Sequence, residues 1–524
     1  MTTIGRFLVD VANRRWDLLP PKPKPCPMMF QAFEWNIVPN KRHWKTLLEM
    51  LPELQSLGVT SIWIPPACKG MSTTGNGYDT YDLYDVGEFK QKGSISTKWG
   101  TKEELLAVTA LAKKLDIGII WDVVLNHRAG ADRTEKCMAV EVDPGDRYRN
   151  LGDPKEIQAW VGFDFPDREN KYSSMKYHWQ HFTGVNYDAS TQKEGIFKLT
   201  DNGKNWAPDV SEENGNYDYL MFADVDYTNE EVKNDVKAWI EWLGAQFPIS
   251  GLRLDATKHY SRGFLKEFIA HIRQTVGPNW FLVAEFWTGD VKALMTYWNQ
   301  MNRLVSLFDV PLLNNFATMS EIQLSDIRKI FQNTLLQKQP SHAVTFVTNH
   351  DTTTVDEWFK PFAYALILLR QEGHPCVFYG DLYGMNRGEN TEPVPAVQFL
   401  RALMLARKLY AHGRQQDYFD RDTCIGWVRY GDRENTEAMA CVLCNGPSLV
   451  KFMYVGKKYA GEMFTEVYGN VGYEIKIDPR GYGGFSARTA GVSIWVHSKA
   501  KGREQFQNWY YLRERRWTHE GPEE

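Results

Sequence analysis

The stretch GLRLDATKHY (251–260) sets an arginine and an aspartate two residues apart inside an otherwise apolar run bounded by glycine. Side chains on a strand alternate faces, so Leu252 and Leu254 point one way while Arg253 and Asp255 share the other. A buried ion pair seldom repays its desolvation in stability, so this placement calls for a reason: a salt bridge at a strand end, or chemistry. The flanks give the fold. Short apolar or β-branched runs alternate with longer amphipathic ones, the pattern of βα units and a parallel sheet. Strands are expected at 28–35, 61–66, 118–127, 251–257, 281–287, 306–312, 343–351 and 375–381, with helices near 43–57, 102–115, 229–246 and 262–276. Eight such units fit a (β/α)₈ TIM barrel, whose active site lies at the C-terminal ends of the strands. Asn126 and His127, Arg253 and Asp255, Glu285, and His350 with Asp351 all fall at those ends. Chance ion pairs would not gather there repeatedly.

Two regions break the pattern. Residues 128–228 are too long for a simple loop and predict an inserted domain after strand three. Within it, Asp218, Asp224 and Asp226 supply the oxygens a hard cation takes, although a solvated acidic loop is the plain alternative. Beyond 411, short runs such as CIGWVRY, MACVLC and VSIWVH predict a C-terminal antiparallel β-sandwich domain. The expected organisation is therefore barrel (1–127), insert (128–228), barrel (229–411), β-sandwich (412–498) and a charged, aromatic tail (499–524) with no assigned role.

The 524 residues carry a formal net charge of -4 from 61 basic and 65 acidic side chains mixed along the chain, which argues against nucleic acid or an anionic membrane as partner. No run approaches the roughly 20 apolar residues of a membrane span, and the N-terminus lacks a secretory pattern. The seven cysteines are scattered and odd in number, unlike a disulfide framework. Cys441 and Cys444, three apart on a strand, point to opposite faces and read as core. A cytoplasmic monomer is expected.

DVVLNH (122–127), GLRLDATKH (251–259), AEFW (284–287) and FVTNHD (346–351) occur in the order and context of the α-amylase family of glycoside hydrolases, and the chain resembles that family. The likeness extends through FEWNIVPNKRHW, NGYDTYDLYDVGEF and ENGNYDYLMFADVDY, covers about 28–498, and is nearest the bacterial liquefying type. It implies Asp255 as nucleophile, Glu285 as acid/base, and Asp351 as a third acid that grips sugar hydroxyls. Arg253 would keep the nucleophile ionised and aligned. His127, His350 and Tyr78 would meet the sugar at the cleavage site, and Lys258 and His259 the leaving-group side. Asn126, Asp218, Asp224 and the His259 carbonyl would bind Ca²⁺. Where that type carries further aspartates, this chain has Asn186, Ala207 and Thr228, and Gln416 and Asn445 stand at a third site, so one structural calcium is expected. The loop after Asp351 is also shorter than in that type. The implied activity is retaining, endo-acting hydrolysis of α-1,4-glucans such as starch, glycogen or maltooligosaccharides. The alternatives are 4-α-glucanotransfer by the same acids and, more remotely, a non-catalytic glucan-binding protein.

Overall fold

The computed structural model describes residues 26–385, 393–468 and 471–506, with the backbone of 517–518 and 521–522. Residues 1–25, and most of the tail beyond 506, lie outside it. Eight parallel strands close into a barrel in sequence order, with the first pairing the last. They are β1 (Met29–Gln31), β2 (Ser61–Ile64), β3 (Gly118–Val123), β4 (Gly251–Leu254), β5 (Phe281–Ala284), β6 (Ser306–Phe308), β7 (Ala343–Thr345) and β8 (His374–Phe378). Each is followed by a helix: α1 (His43–Ser56), α2 (Lys102–Lys114), α3 (Glu230–Gln246), α4 (Arg262–Thr275), α5 (Val291–Gln300), α6 (Val310–Glu321), α7 (Lys360–Leu368) and α8 (Leu400–Tyr410).

Local chemistry starts these helices where the barrel needs them. Thr101 and Glu104 form a reciprocal capping box at α2, and Asn229, Ser261, Asp290 and Asp309 each accept an amide of the first turn of α3 to α6. The strands are apolar because both faces are covered: Leu252, Leu254, Leu282, Val283 and Ala284 are buried.

The predicted strands overrun at their C-terminal ends. β3 stops at Val123, because His127 and Arg128 leave the barrel and pair with Ala223–Val225. That pairing opens a separate antiparallel sheet, which continues through Phe182–Asp188, Lys193–Leu199, Arg133–Asp143 and Asp146–Asn150, with Lys155–Gly162 on its side. β7 likewise stops at Thr345, leaving His350 and Asp351 in the loop beyond it.

Residues 415–497 form a six-stranded antiparallel sheet faced by the pair Val450–Tyr454 and Tyr482–Ser486. Val428, Val442, Met453 and Phe485 fill the space between these layers. Trp427, Cys441 and Ile494, on the other face, join the barrel's core. Cys441 and Cys444 thus divide between the two faces as alternation requires. Past the sheet, Phe506 stacks on Tyr410 of α8 and Arg503 donates to the Glu466 carbonyl at 2.7 Å.

Gly251 sets the closeness of β3, β4 and β5. Its partners are Ile120 and Phe281, and a Cβ added there would lie 2.2 Å from the Phe281 carbonyl oxygen and 2.8 Å from Ile120 Cδ1. Gly251→Val is expected to lower the urea midpoint by the equivalent of about 1–3 kcal/mol, with an unchanged slope; an unaltered midpoint would show that the strands can separate freely.

Candidate active site

The register of β3 and β4 puts Asp122 directly beside Arg253. Arg253, 1% exposed, is the hub of the site. Its Nη1 lies 2.9 Å from Asp122 Oδ1 and 2.5 Å from Asp255 Oδ1, and its Nη2 lies 2.9 Å from Glu285 Oε2. Asp122 in turn accepts Tyr78 Oη at 2.7 Å and Trp63 Nε1 at 2.8 Å. Asp255 and Glu285 each sit one residue beyond their strand, so both carboxyls emerge at the barrel mouth. Ala256, just past Asp255, has φ 50°, a left-handed conformation that alanine rarely takes, and in it the amide donates to Glu285 Oε2 at 3.0 Å.

Arg253 contacts Asp255 as the sequence suggested, and other groups also act on that carboxyl. Burial pushes the Asp255 carboxyl well above the usual carboxylate range; Arg253 pulls it down, while Glu285, Asp122 and Asp351 push it up further. Asp351 is raised to about 6, by burial and then by Glu285. Both shifts run in the direction expected of carboxyls crowded together in a buried site.

Around these acids lies a cavity of about 220 Å³ lined by Tyr78, His127, Asp255, Lys258, His259, Glu285, His350 and Asp351, with Trp35, Leu220, Met221 and Trp287. Every catalytic or sugar-binding residue expected from the sequence faces it except Arg253, which lies beneath. Two larger cavities, of about 590 and 550 Å³, lie elsewhere and contain none of the three acids. Tyr78, His350 and Trp35 present near-parallel rings: Tyr78 to His350 at 5.1 Å and 7°, Trp35 to Tyr78 at 5.7 Å and 17°. Trp35 is 42% exposed, an aromatic face open to the cleft.

Burial favours the neutral form of the three cleft histidines. Burial lowers His127 to about 4, and with Nε2 2.7 Å from the Tyr78 carbonyl the ring must donate there. Burial and Arg253 hold His350 well below its usual value; its Nδ1 lies 2.8 Å from Gln31 Nε2, and its Nε2 3.2 Å from Asp351 Oδ2. Burial lowers His259 to about 3, with Nδ1 2.9 Å from the Tyr217 carbonyl. Lys258 reaches Glu213 at 2.8 Å and the Trp287 carbonyl at 3.1 Å, bridging insert and barrel.

Asn126, Asp218 and Asp224 meet where the insert joins the barrel, all buried. Asn126 Nδ2 lies 3.4 Å from Asp224 Oδ1, and Asp218 accepts the Ala207 amide at 2.9 Å. Among the described residues Asn126 Oδ1 has no hydrogen-bond partner. Burial lifts Asp218 to about 7, and burial plus Asp218 lifts Asp224 well above normal, as expected of two neighbouring buried carboxyls. Among the described residues no three His, Cys, Asp or Glu side chains converge as metal ligands; this set draws on two carboxyls, an amide and a carbonyl. Nearby, Asp226 is paired with the Lys204 ammonium. At the third position considered, Asp417 pairs with Arg370 at 2.8 Å and Asn445 donates to the Ser325 carbonyl at 2.9 Å.

The family model described as "Alpha amylase, catalytic domain" matches residues 40–394, and "Alpha-amylase C-terminal" matches 440–496. The alpha-amylase of Bacillus licheniformis is 44% identical over 478 residues, spanning 89% of this chain and 93% of that protein. The glucan 1,4-alpha-maltohexaosidase of Bacillus sp. (strain 707) is 43% identical over 90% of this chain and 92% of its own length. The cytoplasmic alpha-amylase of Escherichia coli (strain K12) is 37% identical over 90% and 98%. In fold the chain is similar to the alpha-amylase of Geobacillus thermoleovorans complexed with acarbose, at a TM-score of 0.60 and 16% identity, covering 91% of this chain and 100% of that one. Barrel, cleft and sequence together make the chain a member of the alpha-amylase family of glycoside hydrolases.

Sequence reading passed over Asp122, Trp35 and Gln31. Asp122 carried a signal, since a lone carboxylate in the apolar run IIWDVV is as anomalous as Arg253. Asp122→Asn is expected to lower stability by about 3–5 kcal/mol, the usual effect of stripping one partner from a buried pair; urea unfolding at wild-type denaturant concentrations would remove Asp122 from the hub.

Proposed function

We propose that the chain is a retaining, endo-acting α-amylase that hydrolyses α-1,4-glucosidic bonds of starch, glycogen or maltooligosaccharides. The observation that carries this reading is that one guanidinium grips both Asp255 and Glu285 at the mouth of the cleft that Asp351 also lines. Retaining chemistry needs two carboxyls roughly 5–5.5 Å apart, within the reach of a single arginine, whereas inversion needs room for a water between them.

In this mechanism Asp255 Oδ attacks the anomeric carbon while Glu285 gives its proton to the departing oxygen. A covalent glycosyl-enzyme results. Glu285, now a carboxylate, takes a proton from the incoming water, which attacks the same carbon and releases Asp255. Asp351 holds sugar hydroxyls and faces the positive charge that develops on the ring. His350 can donate from Nε2 without adding like charge, and His127, whose one N–H is given to the Tyr78 carbonyl, meets the sugar through its ring. The aromatic faces of Tyr78 and Trp35 carry the sugar ring. Lys258 and His259 take the leaving-group side.

Asn126, Asp218, Asp224 and the His259 carbonyl are the residues that would hold one Ca²⁺. Bound there, the ion would neutralise the two carboxyls and tie the insert to the strand ends. A cytoplasmic location is supported by the Escherichia coli relative's name; among the described residues no helix is long and apolar enough to cross a membrane.

Incubation with maltoheptaose, with products separated by length, is expected to yield shorter chains alone. Longer chains as well would replace hydrolysis by glucanotransfer, and intact sugar that still binds would leave a glucan-binding protein. Glu285→Gln is expected to cut turnover by roughly 10²–10⁴-fold, and Asp255→Asn by at least as much, without loss of folding. Chelation is expected to lower the melting temperature, because a ligand bound only by the native state stabilises it; an unchanged transition after metal loss verified by elemental analysis would end the calcium assignment.

A further inference from the structure

Cys26 stands three residues before β1, at the end of the barrel opposite the cleft, and is the one cysteine of seven that is not buried. Its Sγ lies 3.6 Å from His412 Nδ1 and 3.3 Å from the Ala411 carbonyl. His412 Nε2 lies 2.9 Å from the Lys408 carbonyl and must donate to it. The neutral ring therefore turns a bare Nδ1 toward the sulfur, the arrangement in which an imidazole takes a thiol proton. Asn435 Nδ2, 3.3 Å away, also donates to Nδ1, and Asp432 Oδ2 lies 3.7 Å from it, placed to favour the imidazolium.

A second observation points the same way. Arg407 and Arg429 are 3% and 4% exposed and, among the described residues, bond only to backbone carbonyls: Arg407 to Leu368 and Pro27, Arg429 to Gly413 and Leu369. Among the described residues neither has a carboxylate in ion-pairing range, and Arg407 Nε has no partner at all. Two buried cations without a counter-ion are costly. Arg407 reaches the carbonyl of Pro27, the residue after Cys26, and a thiolate at Cys26 would be drawn to both cations. Glu372 and Arg370 also act on Arg429. Burial raises the Cys26 thiol, but the His412 hydrogen bond and the charges of Arg407, His412 and Arg429 outweigh it and hold the thiol below its ordinary range. His412 is raised in turn: burial lowers it, and the Cys26 bond and charge more than offset that.

We propose that Cys26 is a modification site, a thiol activated by His412 that exchanges with low-molecular-weight disulfides to form a mixed disulfide. His412 Nδ1 takes the thiol proton. The thiolate attacks one sulfur of the small disulfide; the new S–S bond forms as the old one breaks, and the departing thiolate takes the proton back from His412. No net oxidant is needed beyond the disulfide itself.

The test exposes the full chain to glutathione disulfide over a pH series and maps adducts by non-reducing peptide mass spectrometry. The expected result is one glutathionyl group per chain, on Cys26, with a rate midpoint about one pH unit or more below that of the denaturant-unfolded chain. His412→Gln is expected to slow the reaction about tenfold near neutral pH, and Cys26→Ser to abolish it. A native midpoint equal to the unfolded one, adducts on the buried cysteines in place of Cys26, or an undiminished rate in His412→Gln would overturn the proposal. If His412→Gln does not fold, the pH profile of the unsubstituted chain decides.

Discussion

Arg253 is a single positive charge, almost wholly out of water, set among carboxyls from three consecutive strands. Its guanidinium spans Asp122 on β3, Asp255 at the end of β4 and Glu285 at the end of β5, so the register of those strands and the alignment of the two expected reacting acids are one constraint. A buried cluster of this kind is poor value as stability. Its place in the fold lies in the fixed separation it imposes on the two carboxyls proposed to act on one bond. The rest of the barrel serves that geometry: Gly251 lets the strands approach, and Ser261 starts α4 just beyond the site so that the residues between cannot wander.

The barrel was legible because its information is local. Alternation, apolar runs and helix periodicity placed all eight strands and the first four repeats' helices close to their observed positions. Strand ends were less legible, since apolarity continues past the last ladder hydrogen bond. At His127 the chain stays extended but changes sheets, a choice made by Asp224 almost a hundred residues away.

The site was legible where charge interrupts an apolar run, and the family resemblance supplied roles that spacing alone could not. Trp35 was missed because one tryptophan among 19 carries no mark of exposure in the sequence. Gln31 was missed because its partner, His350, is 319 positions away. The other carboxyls around Asp255 were not legible for the same reason: a reading of one strand cannot count the acids delivered by others.

The pairing of Met29 with Cys376 that closes the barrel sets a timetable for synthesis. About 350 residues separate the two strands, which at roughly 5–20 residues per second is tens of seconds of translation. Throughout that interval β1 has no partner on one side, and a bare strand edge invites pairing with other chains. β1 is only three residues long, too short to template a foreign strand well. Its brevity protects the nascent chain until the eighth strand emerges.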